Sequence, residues 1–185
     1  LFQQWESALL YIFGPKAGVS DPLFGIDASY YLFSLPIYQL LQGRLLLILL
    51  LLFISLAILY YLERQMLMSE EHPMPKGAKI HLSIIIFLAF LVQAWGYILE
   101  QHQLLYNTNN EPLFFGPGFT EMWVIFPLIW LSAIFLLAMA VSLIMYVNSR
   151  KGFFPLVIFA ILFVLSHAGR NWEYLTETVN QYIVK

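Results

Sequence analysis

The stretch Leu45-Leu46-Leu47-Ile48-Leu49-Leu50-Leu51-Leu52-Phe53-Ile54 decides the fold. It lies within an uncharged segment from Leu45 to Leu62. A bilayer core about 30 Å thick is crossed by a helix of about 20 apolar residues. At about −0.5 kcal/mol per large apolar residue, this segment favours insertion by several kcal/mol. In water, a helix apolar on every side needs burial on every side.

Three further stretches of the same kind follow. Ile80 to Leu99 contains only His81, Ser83 and Gln93 as strongly polar members. Met122 to Val147 is long and uncharged, leaving room for tilt. Gly152 to Gly169 is the shortest, with Pro155 where a first-turn proline is tolerated. Composition agrees: 61% of the 185 residues are hydrophobic and 11% charged, against about 25% charged in soluble domains. The net charge of −2 gives no broad basic surface for nucleic acid. With no cysteine there is no disulfide or thiolate metal site.

The expected fold is therefore all-α, a polytopic membrane protein of about four transmembrane helices plus short interfacial helices. Lys and Arg beside the spans set the expected orientation. Arg64, Lys76 and Lys79 lie in the linker 63–79, and Arg150 and Lys151 in the linker 148–152. The loop Glu100 to Glu121 has no Lys or Arg. The two basic linkers are thus expected to face the cytoplasm of a bacterial-type plasma membrane, with both chain ends outside. Arg44 and Arg170 stand at the opposite boundary and weaken the bias. An outside start without an initiator methionine leads us to expect part of a longer polypeptide.

Outside the spans, Trp5, Leu9, Leu10, Ile12 and Phe13 suit a short amphipathic helix ended by Gly14-Pro15. Asp21-Pro22 suits an N-cap followed by a first-position proline. Asp27 is placed to cap a second short helix ending before Leu35-Pro36, and Thr120 to cap the third span. The expected division is an outer interfacial segment at 1–44, a four-helix membrane region at 45–169, and an outer interfacial helix at 170–185.

Residues 21–36, Asp-Pro-Leu-Phe-Gly-Ile-Asp-Ala-Ser-Tyr-Tyr-Leu-Phe-Ser-Leu-Pro, resemble the pattern DPxFxxDxSFYxFxLP of the UPF0182 membrane-protein family. Asp21, Pro22, Phe24, Asp27, Ser29, Tyr31, Phe33, Leu35 and Pro36 match, and Tyr30 replaces a phenylalanine. Gly116-Pro117-Gly118-Phe119-Thr120-Glu121 is similar to the family's GAxYTD segment, with Phe119 for Tyr and Glu121 for Asp. Lys79-Ile80-His81-Leu82 loosely matches the start of another family span. The resemblance implies about seven spans followed by a large extracytoplasmic domain. This chain would be the last four spans. No activity, cofactor or partner comes with the resemblance.

Candidate chemistry is sparse. His72, His81, His102 and His167 form no paired ligand motif. His81 and His167, near helix ends, are weak candidates to hold haem or chlorophyll; an interfacial histidine with a water or backbone partner is the plainer interpretation. Gln93, Glu100 and Glu121 are candidates for a polar path, although no charge lies mid-span, the usual mark of translocation. Gln93 more simply hydrogen-bonds a neighbouring helix, and Ala138 with Ser142 lets a helix approach closely. Asp21 and Asp27 read as caps. No phosphate loop, nucleophile elbow or zinc motif occurs. The expected function is structural: a non-catalytic anchoring or accessory subunit whose partners are the lipid bilayer and other membrane subunits. A transporter or channel component is the alternative, and a pigment- or haem-binding subunit the third.

Overall fold

A computed structural model of the chain describes residues 5–66, 76–106, 116–149 and 151–170. Five α-helices occur among them: α1 (Trp5–Phe13), α2 (Leu35–Met66), α3 (Lys76–Gln103), α4 (Phe126–Ser149) and α5 (Phe153–Arg170). The described residues contain no β-strand, only an isolated antiparallel bridge between Ser20 and Asp27. Four helical segments are long and apolar enough to cross a membrane: Tyr30–Glu63, Gly77–Gln103, Glu121–Ser149 and Phe153–Arg170. The all-α expectation thus holds: the first three apolar stretches lie inside longer helical segments, and the fourth, Gly152 to Gly169, is matched by a helix that starts one residue later. The expected helix at 170–185 lies outside the described residues beyond Arg170, as does His72.

The chain divides into two compact units, 1–44 and 45–185, with α2 running through the division. In the first, Gly14 ends α1 with its N–H donating to the Leu10 carbonyl at 2.8 Å. A side chain at Gly14 would meet that carbonyl and the Phe33 ring, at 2.7 Å from Cδ2. Tyrosines fill the rest: Tyr11 and Tyr38 hydroxyls lie 3.3 Å apart, and Tyr30 stands edge-on to Tyr31 at 5.3 Å.

The second unit is built around α4, which packs against both α3 and α5. Ala94, Tyr97, Ile129, Ala133 and Leu136 form its core, with Phe163 of α5 against them. The hydroxyls of Ser132 and Ser166 meet at 3.0 Å, and each also lies within hydrogen-bond distance of a carbonyl of its own helix; with one proton apiece, one serine donates across while the other donates to its own backbone. The α4–α5 return is so tight that a Cβ on Gly152 would collide with the Ser142 carbonyl and the Tyr146 backbone nitrogen. By contrast, α2 buries none of the most apolar window of its span.

The short helix expected to stop before Leu35-Pro36 does not stop. Residues from Ala28 onward are helical, widen into a π-helical turn at Tyr30–Ser34, and continue into α2. Proline clashes with the carbonyl four residues back and lacks an N–H for it. Here the Leu35 N–H reaches back to the Tyr30 carbonyl, five residues away, opening the helix just ahead of Pro36. The same device recurs before α4. A π-turn at Glu121–Ile125 ends with the Phe126 N–H on the Glu121 carbonyl, one residue before Pro127.

Candidate functional site

The first family-like motif is a loop wrapped around two carboxylates. Asp21 accepts hydrogen bonds from the N–H groups of Leu23 (2.8 Å), Phe24 (2.6 Å) and Ile26 (2.9 Å), and from the Tyr31 hydroxyl (2.7 Å). Asp27 accepts from Ala17 (3.1 Å), Gly18 (2.9 Å) and Ser29 (2.8 Å). Asp27 caps the helix that begins at Ala28, whereas Asp21-Pro22 opens only a single turn. Partial burial works against the Asp21 charge, but the hydrogen bonds from Phe24, Tyr31, Ile26 and Leu23 hold its carboxyl below the usual range. The Ser29 hydroxyl and amide, helped by Ala17 and Gly18, hold Asp27 down to about 2. Such carboxylates are poor bases, fixed in place by the backbone. Phe33 meets the α1 end at Gly14, and Pro36 follows the π-turn.

The second motif is likewise a helix entrance. Gly116 has φ +108°, a conformation open to glycine at little cost. Thr120 is buried, but its side chain makes no cap hydrogen bond, so the expected Thr120 cap is not formed. Glu121 takes that role in reverse, its Oε2 accepting from the Gly118 N–H at 2.9 Å. This is the back-reaching half of a capping box. The longer Glu side chain makes that reach across three residues.

The richest polar cluster lies where α3 and α5 end. Gln93, Tyr97 and Glu100 share one face of α3 at helical spacing. Arg170 Nη1 lies 3.1 Å from Glu100 Oε2. Its Nη2 is 2.8 Å from His167 Nδ1, and its Cζ sits 4.9 Å from the Tyr97 ring centre, a cation–π arrangement. The Arg170 side chain is 6% exposed and that of Glu100 37%, so the pair has one dry and one wet end. Nη1 meets the carboxylate as a charge contact without hydrogen-bond alignment, leaving Nε and Nη1 buried without an acceptor. An unmet buried donor costs about 1–3 kcal/mol.

Sequence reasoning picked Gln93, Glu100 and His167 separately but treated Arg170 as a boundary residue. The available signal was the pairing of a lone Arg ending the fourth span with a lone Glu ending the second, at the same membrane face. Glu121 stands apart as the capping residue of α4's entrance. His81 is elsewhere: its Nδ1 is 2.7 Å from the Tyr60 hydroxyl, joining α3 to α2. His102 is buried at the end of α3. Among the described residues, no three His, Asp or Glu gather as a metal site would require.

The profile of UPF0182, described as an uncharacterised protein family, matches residues 1–185. A UPF0182 protein of Syntrophobacter fumaroxidans is 50% identical over all of the chain, which spans 21% of that relative. A relative from Nitrosococcus oceani is 46% identical, also over the full chain and 21% of its own length. One from Methylococcus capsulatus is 35% identical over 184 residues. The chain thus spans about a fifth of the length of the curated relatives it matches. No solved structure matches it. On this match along its whole length, the chain belongs to the UPF0182 family.

Proposed function

We propose that this chain is a non-catalytic, membrane-embedded anchoring part of a larger protein or complex. The observation that carries the reading is that two pairs of polar side chains tie helix to helix. Ser132 meets Ser166 between α4 and α5, and Glu100 meets Arg170 between α3 and α5. Such links fix a bundle where lipid offers no hydrophobic drive for helices to associate. The apolar surface of α2 suits contact with lipid and with other membrane subunits. The basic linkers face the cytoplasm of a bacterial inner membrane in this reading.

Gln93→Leu is the first test. An anchor tolerates it with a small packing cost, whereas loss of a measured flux would reverse the reading. Native mass spectrometry in mild detergent should show a larger polypeptide or stoichiometric partners. Because cysteine is absent, single-cysteine labelling reports sidedness cleanly. Lys151→Cys should react only from the inside, and Gly118→Cys only from outside.

The buried Arg170 with two nitrogens lacking acceptors favours a second reading, a transporter component in which the Gln93–Tyr97–Glu100–Arg170 cluster lines the path. A pigment- or haem-binding role would instead give the purified protein a visible absorption band altered by His81→Ala or His167→Ala.

A further inference from the structure

A groove between α3 and α4 involves none of the residues of the Ser132–Ser166 and Glu100–Arg170 links. Ile80, Ser83, Ile84 and Phe87 face Ile144 and Asn148 around an open space of about 300 Å³. The lining is almost wholly apolar, and Ile80 and Ile84 are each about half exposed. One polar point breaks it: Asn148 Nδ2 donates to Ser83 Oγ at 3.4 Å. The same end of both helices is basic. Lys79 precedes Ser83 by one helical turn, and Lys151 follows Asn148 by three residues. No Asp or Glu occurs from Lys76 to Leu88 or from Ile144 to Gly152.

Size argues against a helix as the occupant. A helix about 10 Å wide, running the roughly 12 Å from Ile80 to Leu88, occupies on the order of 900 Å³. A single hydrocarbon chain is narrow enough to lie in the groove. Charge then selects the head group, because basic pockets between membrane helices attract anionic lipid. We propose that the groove binds one acyl chain of an anionic phospholipid, its ester region at Ser83 and Asn148 and its phosphate between Lys79 and Lys151. The inference needs the chain only to be membrane-embedded, and stands whether it anchors or transports.

The test is native mass spectrometry of the whole polypeptide from nanodiscs of equal phosphatidylglycerol and phosphatidylcholine. The wild type should retain phosphatidylglycerol preferentially. Removing each charge, in Lys79→Gln and Lys151→Gln, should cut that preference about fivefold. Ile84→Trp, which fills the groove from its exposed lip, should abolish retention while leaving the melting temperature within a few degrees. Equal retention of both lipids by the wild type would overturn the proposal. So would undiminished retention in Ile84→Trp, or a photo-crosslinker at Ile84 that captures peptide instead of lipid. If Ile84→Trp fails to fold, the lysine variants and the crosslinker still decide.

Discussion

Glu100 and Arg170 bring a carboxylate and a guanidinium to 3.1 Å across the ends of α3 and α5, with the arginine the drier partner. Unequal exposure makes the two removals unequal. Glu100→Gln leaves a buried cation uncompensated and should destabilise by about 3 kcal/mol. Arg170→Gln leaves a carboxylate with access to water and should cost less. The double variant should recover part of the Glu100→Gln loss, and thermal melts in detergent would show this as a positive coupling.

Gly152 and Gly43 should respond oppositely to alanine. At Gly152 the new methyl meets backbone of α4, including the Tyr146 nitrogen at 2.5 Å, so Gly152→Ala should cost about 1–3 kcal/mol. Gly43 lies within α2 with nothing within 4 Å of a built Cβ. Gly43→Ala should stabilise by about 0.5–1 kcal/mol through helix propensity. Melting temperatures of the two variants against wild type provide the check.

Acid should loosen the loop around Asp27 late. Its carboxyl is held at about 2 in the folded chain, against 3.8 for an ordinary aspartate. A depressed folded pKa gives stability that is present above 3.8 and lost as the pH falls toward about 2. Amide exchange at Ala17, Gly18 and Ser29 should therefore stay protected through mild acid and rise only in that window. Asp27→Asn should remove the step, leaving these amides poorly protected at neutral pH.

Ser132 and Ser166 make one buried bond between α4 and α5. Either serine to alanine should cost about 0.6 kcal/mol, and the double change should be less than additive. Ser132→Leu should be far worse, since Ser132 has 0% exposure and no room for a larger side chain. Chemical denaturation in mixed micelles can rank the three.

The spans were legible because lipid imposes one requirement, a long uncharged apolar run, and Leu45 to Leu62 meets it without help from its neighbours. Helix ends were less so. Leu35-Pro36 reads as a stop under local rules, and only the wider turn ahead of it shows how the helix continues. Of the two carboxylates read as helix caps, Asp27 does cap the helix that begins at Ala28, whereas Asp21 closes only a single turn, its acceptor role being satisfied by the loop amides up to Ile26. The Thr120 cap failed because the helix starts one residue earlier, at Phe119: Thr120 already has helical backbone angles, and Gly118 holds the cap position. The Arg170 cluster was least visible: its members are separated by some 70 positions in sequence, and only the antiparallel return of α4 and α5 brings them together.

The π-turn at Glu121–Ile125 also acts as a phase shifter. It holds one residue more than an ordinary turn, and each residue of an α-helix advances about 100°. Thr120 and Glu121 are therefore set on a different meridian from the one an unbroken α-helix would give them relative to Ile129, Ser132 and Leu136. Deletion of the exposed Trp123 would remove no core side chain and would even restore regular hydrogen bonding. It would still swing the whole buried stripe of α4 about a third of a turn away from the helix entrance that Glu121 anchors. In this chain, spacing between motif and span carries as much information as the residues themselves.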